Sequence, residues 1–433
     1  LATAAEQMRA AVAEDSAKFK GVVDKDGNLL FSNQSGDSVG VDGDGKKDVI
    51  VNTTEDASFG GKFDPNLKVY DWKALDPTDK EHYMKATAWV AAKNTPDYFL
   101  RNPTAGSKSF TIYGGNDKSS YKLGFARNTE QGMLPNSSLF KNILNFGVNN
   151  QLTSRLMAGI TANVSFNGAT GRYGTGYDAK NPMGNFRQWW QTNVDMKELE
   201  DAYKRNPERN TTWNWADYTN VGAGPIYWDN PYFMRNKSYE NDERTRFFGN
   251  TFMTYQLKKW MTVTGRVSMD GYNEMQEERI AVGSIDVSEY SRYNRSYREF
   301  NYDLFTEYNK EINENVKITG VTGINIRKQS ISSIFAQTNG GLNVPNLYSL
   351  SNTVNPLEAP SESVSAKQVN GVYSNFNFGY KNFFFLDLTA RNDVSSTLSK
   401  GSNSYFYPSV SGSYVFADHL RKLIGDDMKW LSY

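Results

Sequence analysis

The chain of 433 residues contains no cysteine and only two histidines, His82 and His419. Disulfide bonds and thiolate metal sites are therefore excluded within it, and so is a histidine-rich metal centre. It also lacks an excess of either charge, because 48 basic residues balance 48 acidic ones and the formal net charge is zero. A neutral chain argues against a nucleic-acid partner, which would favour a basic face.

Long apolar runs are missing as well. No stretch of about 18 apolar residues occurs, and this excludes a transmembrane helix. The other fold that can span a bilayer is a closed β-barrel, because closure pairs every backbone N–H and C=O group within the protein. The mean hydropathy of −0.64 is compatible with a barrel, since barrel strands are apolar on one face only.

What the sequence has instead is alternation. Apolar side chains occupy the even positions of 156–166 and the odd positions of 261–270, and small or polar side chains lie between them. This period of two predicts strands with one apolar face. Such runs predict about eleven strands, most of them about ten to fourteen residues long, which is enough for a tilted strand to cross a bilayer. They begin near Lys108, Ser119, Lys141, Arg155, Arg246, Met261, Phe300, Asn315, Gly371, Asn382 and Ser404.

The connections between these strands alternate in length. Short ones, such as Lys258–Trp260, are followed by long ones, of which the longest are 168–245, 271–297 and 329–368. Outer-membrane barrels sort short periplasmic turns from long extracellular loops in this way, whereas the alternative folds, a secreted β-sandwich or solenoid, do not. We therefore predict an all-β fold, an antiparallel transmembrane β-barrel, over 107–433. Residues 1–106 are expected to be the first extracellular loop region, with a short N-terminal helix.

Eleven strands do not close a barrel, because bacterial single-chain barrels have even strand numbers. An open edge in lipid would leave backbone groups without partners. We therefore expect further strands before Leu1 and after Tyr433, and we interpret the chain as a stretch of a longer protein.

Several segments resemble the SusC/RagA family of TonB-dependent outer-membrane transporters. Two of them read FFLDLTARND over 384–393 and SYFYPSV over 404–410. Others are NDERTRFFGN over 241–250 and EDASFGGKFD over 55–64, although the family more often has Trp where Phe59 stands. The opening LATAAEQMR is similar to the helical entry to the family's first outer loop. The resemblance covers nearly the whole chain, and its pieces come in the family's order.

The resemblance implies a multi-pass barrel of about twenty-two strands in the bacterial outer membrane. It further implies an N-terminal plug with a TonB box, a SusD-like lipoprotein that covers the outer loops, and cargo of oligosaccharides or oligopeptides. No plug or TonB box is present in this chain, so TonB coupling is expected through parts that lie outside it. The sequence does not distinguish glycan from peptide cargo, because aromatic side chains serve both.

The predicted loop over 168–245 is rich in aromatic residues. Flat rings with polar tips suit sugars, peptides and protein partners alike. Three interpretations stay open: the rings form the loop's own small core, they contact the lid, or they contact cargo. The candidate contact residues are Trp189, Trp190, Trp213, Trp215, Tyr227 and Trp228.

The first loop contains the segment GVDGDGKKDVI over 40–50, in which acidic residues recur two apart. This piece resembles the calcium loop of FG-GAP-type repeats. The resemblance implies Ca²⁺ ligands from the side chains of Asp42, Asp44 and Asp48 and from the carbonyl of Lys46. Gly40 stands where the first acid belongs, so one ligand is missing. The alternative is a flexible acidic turn, and no cofactor beyond this structural ion is expected.

No catalytic constellation is evident, and we do not expect an enzyme. His82 lies near Glu81 and Asp79 without a nucleophile, and His419 falls at a predicted turn. The primary hypothesis is the barrel portion of an importer, and the alternative is a structural or adhesin-type barrel without import. In an importer, the polar sides of the strands would line the lumen or contact the plug. The residues expected there include Arg266, Asp387, Thr389 and Arg391.

The calcium hypothesis predicts that the protein retains Ca²⁺ through dialysis and that replacing Asp44 and Asp48 with Asn abolishes this retention. Two carboxylate ligands would be lost. Lys46→Ala is the matched control, because a backbone carbonyl survives the substitution. Elemental analysis of the dialysed proteins measures the bound ion. Equal calcium in wild type and double variant would contradict the hypothesis.

Overall fold

The computed structural model describes most of the chain between residues 50 and 416. The described residues are 22–23, 29–31, 50–54, 58, 60–172, 174, 176, 180–216 and 224–416. Several predictions lie outside these residues: the N-terminal helix, the opening motif, most of 40–50 with its four calcium ligands, and His419.

Short pieces of sheet precede the main one. β1 (Val22–Val23) pairs with β2 (Leu29–Phe31), and β3 (Asp64–Val69) pairs with β4 (Thr87–Trp89), both antiparallel. A 3₁₀ turn follows at Pro96–Phe99. Val69 and Trp89 pack with Val51 in a small core of their own.

Eleven strands form one antiparallel sheet in which each strand pairs with the next along the chain. All eleven predicted strands are confirmed. They are β5 (Thr104–Gly115), β6 (Ser119–Gln131), β7 (Ser138–Gln151), β8 (Leu156–Arg172), β9 (Glu240–Lys258), β10 (Met261–Ile280), β11 (Glu289–Asn313), β12 (Val316–Gln337), β13 (Ser361–Tyr380), β14 (Phe384–Ser395) and β15 (Ser404–Tyr414). This up-and-down order is that of a barrel wall.

The connections alternate in length as predicted. The short ones at one end of the sheet are 116–118, 152–155, 259–260, 314–315 and 381–383. Those at the other end are 132–137, 173–239, 281–288, 338–360 and 396–403. We call this second end the loop end.

The strands are longer than predicted, and β11 reaches 25 residues. The expected loops 168–245, 271–297 and 329–368 were therefore wrong in extent, since the connections are only 173–239, 281–288 and 338–360. Backbone pairing of β10 and β11 continues through pairs such as Glu277↔Arg292. In this part of the strands polar side chains occupy both faces, so the alternation of apolar and polar residues is lost. Backbone pairing does not depend on that alternation, so the strands extend beyond it.

Among its described residues, the long connection 173–239 contains three helices, α1 (Pro182–Gln188), α2 (Met196–Arg205) and α3 (Pro231–Lys237). Each begins at a capping side chain, because Asn181, Asp195 and Asn230 accept hydrogen bonds from backbone N–H groups of the first turn. Proline at the start of α1 and α3 presets the helical φ. Among the described residues, no helix has the length and apolarity to cross a membrane.

The pairing register gives the sheet one apolar face. Phe110, Phe125, Leu144, Val164 and Phe247 are successive partners across five strands, so their side chains share a side. Many apolar side chains on this side are exposed, for example Phe110 at 55% and Leu144 at 42%. A sheet with so much exposed apolar surface requires an apolar environment.

Leu304, exposed at 50% on the apolar face, lies in the middle of the apolar part of β11. Leu304→Lys is expected to lower the free energy of unfolding in lipid by about 2–4 kcal/mol, because the ammonium would lie in hydrocarbon. Asn309→Lys places the same charge on the opposite face of β11 and serves as control. Urea titration of the protein folded in lipid vesicles measures both. Equal stabilities of the two variants would contradict the assignment of the faces.

Candidate functional site

The loop end carries a compact assembly built around aromatic residues. Trp72 and Phe99, from the region before β5, pack against residues of the connection 173–239. The buried members are Trp72, Phe99, Leu134, Trp190, Val194, Met196, Leu199, Ala202, Trp213, Trp228 and Tyr232. The long loop and the first outer region are therefore joined by a single apolar core at this end of the sheet.

The six aromatic candidates divide into two groups. Trp190, Trp213, Trp215 and Trp228 are only 5%, 2%, 2% and 7% exposed, and the rings of Trp190 and Trp213 meet edge to face at 4.6 Å. These four side chains therefore lie in the interior of the loop. Trp189 is partly buried at the margin of the core, whereas Tyr227 is 39% exposed. For Trp189 and Tyr227, contact with cargo or lid stays a prediction.

Buried asparagine side chains hold the loop segments together. The Oδ1 of Asn214 accepts hydrogen bonds from the backbone N–H groups of Tyr227 and Trp228, each at 2.8 Å, and its Nδ2 donates to the Trp228 carbonyl at 2.9 Å. The Nδ2 of Asn230 donates to the carbonyls of Leu199 and Thr211. A buried side-chain amide thus pairs backbone groups that have no strand partner.

A cluster of ion pairs joins α2 to the segment before β4. The buried carboxylate of Asp76 accepts from Arg205 at 3.2 Å and from Arg209 at 3.0 Å. Asp79 contacts Arg205 at 3.1 Å and Nδ1 of His82 at 3.1 Å. Burial works against the charged form, but the hydrogen bonds from His82 and the nearby Arg205 guanidinium lower the pKa of Asp79. His82 therefore has a structural partner in Asp79.

Asp195 ties α2 to the chain before β5. Its carboxylate caps α2 through the N–H of Lys197 at 2.9 Å and also accepts from the N–H and amide of Asn94. Although burial opposes the charge, the hydrogen bonds from Asn94 and Lys197 lower the pKa of Asp195. The contribution of Asp195 to stability is therefore present at neutral pH and is lost only as the pH falls below the ordinary carboxyl range.

Asp195→Ala is expected to destabilise the helical part of the assembly by about 1 kcal/mol or more, because the cap and the bridge to Asn94 are lost together. Hydrogen exchange of the amides in 196–205 should be several-fold faster, with the exchange of β10 and β11 unchanged. Asp201→Ala is the matched control, because this partly exposed acid of α2 contacts only Lys197 one turn away. Unchanged exchange in Asp195→Ala would contradict this role.

The second candidate feature is the polar face of the sheet. On it, Arg266 Nε lies 3.2 Å from an Asp303 carboxylate oxygen, and Asn325 donates to the same carboxylate at 2.7 Å. Further along, Asn377 donates to Asp387 at 2.8 Å. Register places these residues opposite the apolar face. The result is a continuous hydrophilic wall across adjacent strands.

The same wall continues toward the loop end. Arg246 pairs with Asp270 at 2.6 Å, and Arg327 pairs with Glu299 at 2.7 Å. Tyr297 donates its hydroxyl proton to Glu299 at 2.8 Å. Charges on this face are therefore largely matched in adjacent strands, which makes a polar surface with no strong net field.

All four residues expected to line the lumen lie on this polar face. Asp387 and Arg266 take part in the contacts above; Thr389 accepts from Asn375 at 2.7 Å, and Arg391 pairs with Asp393 at 2.8 Å. In the part of the chain that the structure describes, no group of three or more acidic or histidine side chains could hold a metal ion.

Comparison with known proteins gives the wider context. No family model matches the chain. It is 24% identical over 320 residues to TonB-dependent receptor P26 of Formosa agariphila, covering 71% of this chain and 30% of that protein. Its fold matches the RagAB peptide transporter with a TM-score of 0.63 at 18% identity, over 82% of this chain and 39% of that one. The RagAB peptide importer in its open-open state matches at 0.64.

These matches confirm the predicted fold class, because the sheet has the strand arrangement of a transporter barrel wall. They also support the resemblance to the SusC/RagA family of TonB-dependent transporters. The chain spans about a third of the length of the proteins it matches, 30% of the receptor and 39% of the transporter chain.

Proposed function

We propose that this chain forms part of the barrel wall of a SusC/RagA-like, TonB-dependent importer in the bacterial outer membrane. It takes up oligosaccharides or oligopeptides, and a SusD-like lipoprotein covers its loop end. Energy from TonB reaches it through a plug that is not part of this chain. This role requires no enzymatic activity.

The polar face is the observation that carries the proposal. Arginine, acid and amide side chains on β9 to β14 hydrogen-bond to one another across the strands. A purely structural barrel has no need for a hydrated inner wall of this extent, whereas a passage for polar cargo does. Because the charges are largely matched, cargo can slide along the wall without being trapped at a single strong site.

The loop end supports the capture step. Its aromatic core fixes the long loop as one folded unit rather than as a loose chain. Tyr227 and Trp189 lie at the margin of that unit, where an aromatic ring can stack on a sugar or on a peptide side chain. We place cargo or lid contact on these two residues.

Uptake by cells that express the full-length protein tests the proposal. Deletion of the gene should abolish energy-dependent uptake of the cargo, and the wild-type gene should restore it. Trp189→Ala with Tyr227→Ala should reduce uptake at subsaturating cargo by roughly tenfold or more with the barrel intact, because stacking contacts of about 1 kcal/mol each are lost. Tyr83→Ala, a ring 40% exposed elsewhere in the outer region, is the control.

Mass spectrometry of ligand that co-purifies with the native complex identifies the cargo. Sugars or peptides in the sample assign the class. A complex that is empty, together with unchanged uptake in the deletion strain, would overturn the importer and favour a structural or adhesin-type barrel.

A further inference from the structure

The apolar face of the sheet changes character toward the loop end. We call side chains on the apolar face outward. On four strands, the first outward residue after the apolar ones, counted toward the loop end, is lysine or arginine. Each of these residues lies two positions from an apolar residue, such as Phe125 or Ile326, and therefore points to the same side. We call them the basic collar: Lys108 on β5, Arg127 on β6, Arg298 on β11 and Lys328 on β12.

The collar residues come in adjacent pairs. Lys108 and Arg127 are direct partners in the register of β5 and β6. Arg298 pairs with Ser330, and Lys328 pairs with Phe300, so Arg298 and Lys328 are diagonal neighbours. Like charges placed opposite each other across two strands repel and destabilise the sheet. An anion between them would remove this cost.

No acidic side chain supplies that anion among the described residues. None of the four collar residues forms an ion pair with a described residue, and all four side chains are exposed. Arg127 donates to the Asn142 side chain at 3.3 Å and lies 6.0 Å from the centroid of the Phe140 ring. On the polar face, by contrast, Arg246 and Arg327 pair with acids.

The corresponding outward position on the other strands is also free of acids. On β7 to β10, β13 and β14 it holds an amide, a hydroxyl or glycine: Asn142, Gly168, Thr245, Gly271, Asn370 and Asn392. At this first outward position the described sheet therefore carries cations and neutral side chains but no carboxylate, and Glu243 lies one outward position further along β9. This asymmetry is what a surface beside anionic groups requires, since an outward carboxylate there would repel them.

We propose that the basic collar binds the phosphate groups of outer-leaflet lipid. The apolar side chains below it, such as Phe110 and Leu304, lie among acyl chains, so the collar falls at the depth of the headgroups. There the two cations of a pair can share one phosphate through charge-assisted hydrogen bonds. The proposal rests on the placement of the barrel in the outer membrane and concerns its lipid, not its cargo.

Native mass spectrometry of the full-length protein tests this, with bis-phosphorylated lipid A and dephosphorylated lipid A as probes. The variants are Lys108→Gln with Arg127→Gln, and Arg298→Gln with Lys328→Gln. Lys141→Gln with Lys367→Gln is the matched control, because these exposed lysines carry the same charge on the polar face. Migration on gels without heating verifies that each barrel is folded.

We expect each collar variant to bind bis-phosphorylated lipid A at least tenfold more weakly than wild type, with the control unchanged. On dephosphorylated lipid A, wild type and variants should be equal. Undiminished binding by the collar variants would overturn the proposal. Equal binding of the two lipids by wild type, or an equal loss in the control, would also overturn it. None of these outcomes depends on cargo uptake, so failure here is separate from failure of the import function.

Discussion

Backbone hydrogen bonding is the constraint on which the rest of this structure depends. A chain that crosses hydrocarbon must pair every N–H and C=O group within the protein. The chain meets this demand with eleven antiparallel strands, each paired with the next from end to end. Because the backbone groups pair within the sheet, successive side chains point to opposite faces, and one face can contact lipid while the other contacts water. Two of the candidate functional surfaces, the polar face and the basic collar, are consequences of this alternation.

The same constraint explains the contrast between the two ends of the sheet. Turns at one end, such as 259–260, do little more than reverse the chain. At the other end, 173–239 folds into a unit with its own core and capped helices. Away from lipid, backbone groups can pair with side chains, as they do with Asn214 and Asn230. Irregular structure therefore accumulates at the loop end, as is general for surface connections.

Much of the sheet could be predicted from the sequence, because apolar alternation marks each crossing strand. The extent of the strands could not, since 277–280 and 289–297 carry polar side chains on both faces and resemble loop. The helices of 173–239 did have local signals, namely Asn181 and Asn230 before proline. What the sequence could not show is which tryptophans are buried. Trp189 and Trp190 are neighbours in sequence, but only the Trp190 ring packs edge to face against both Phe186 and Trp213 in the core.

The orientation of the sheet in the membrane is the central claim, and cysteine labelling tests it most directly, because the chain has no native cysteine. A membrane-impermeant maleimide is added to intact cells that express Val282→Cys or Leu347→Cys, at the loop end, or Lys259→Cys or Glu314→Cys, in the short turns. We predict labelling of the first two variants on intact cells, and labelling of the second two only after the outer membrane is opened. Labelling of the turn variants on intact cells, or of all four alike, would contradict it.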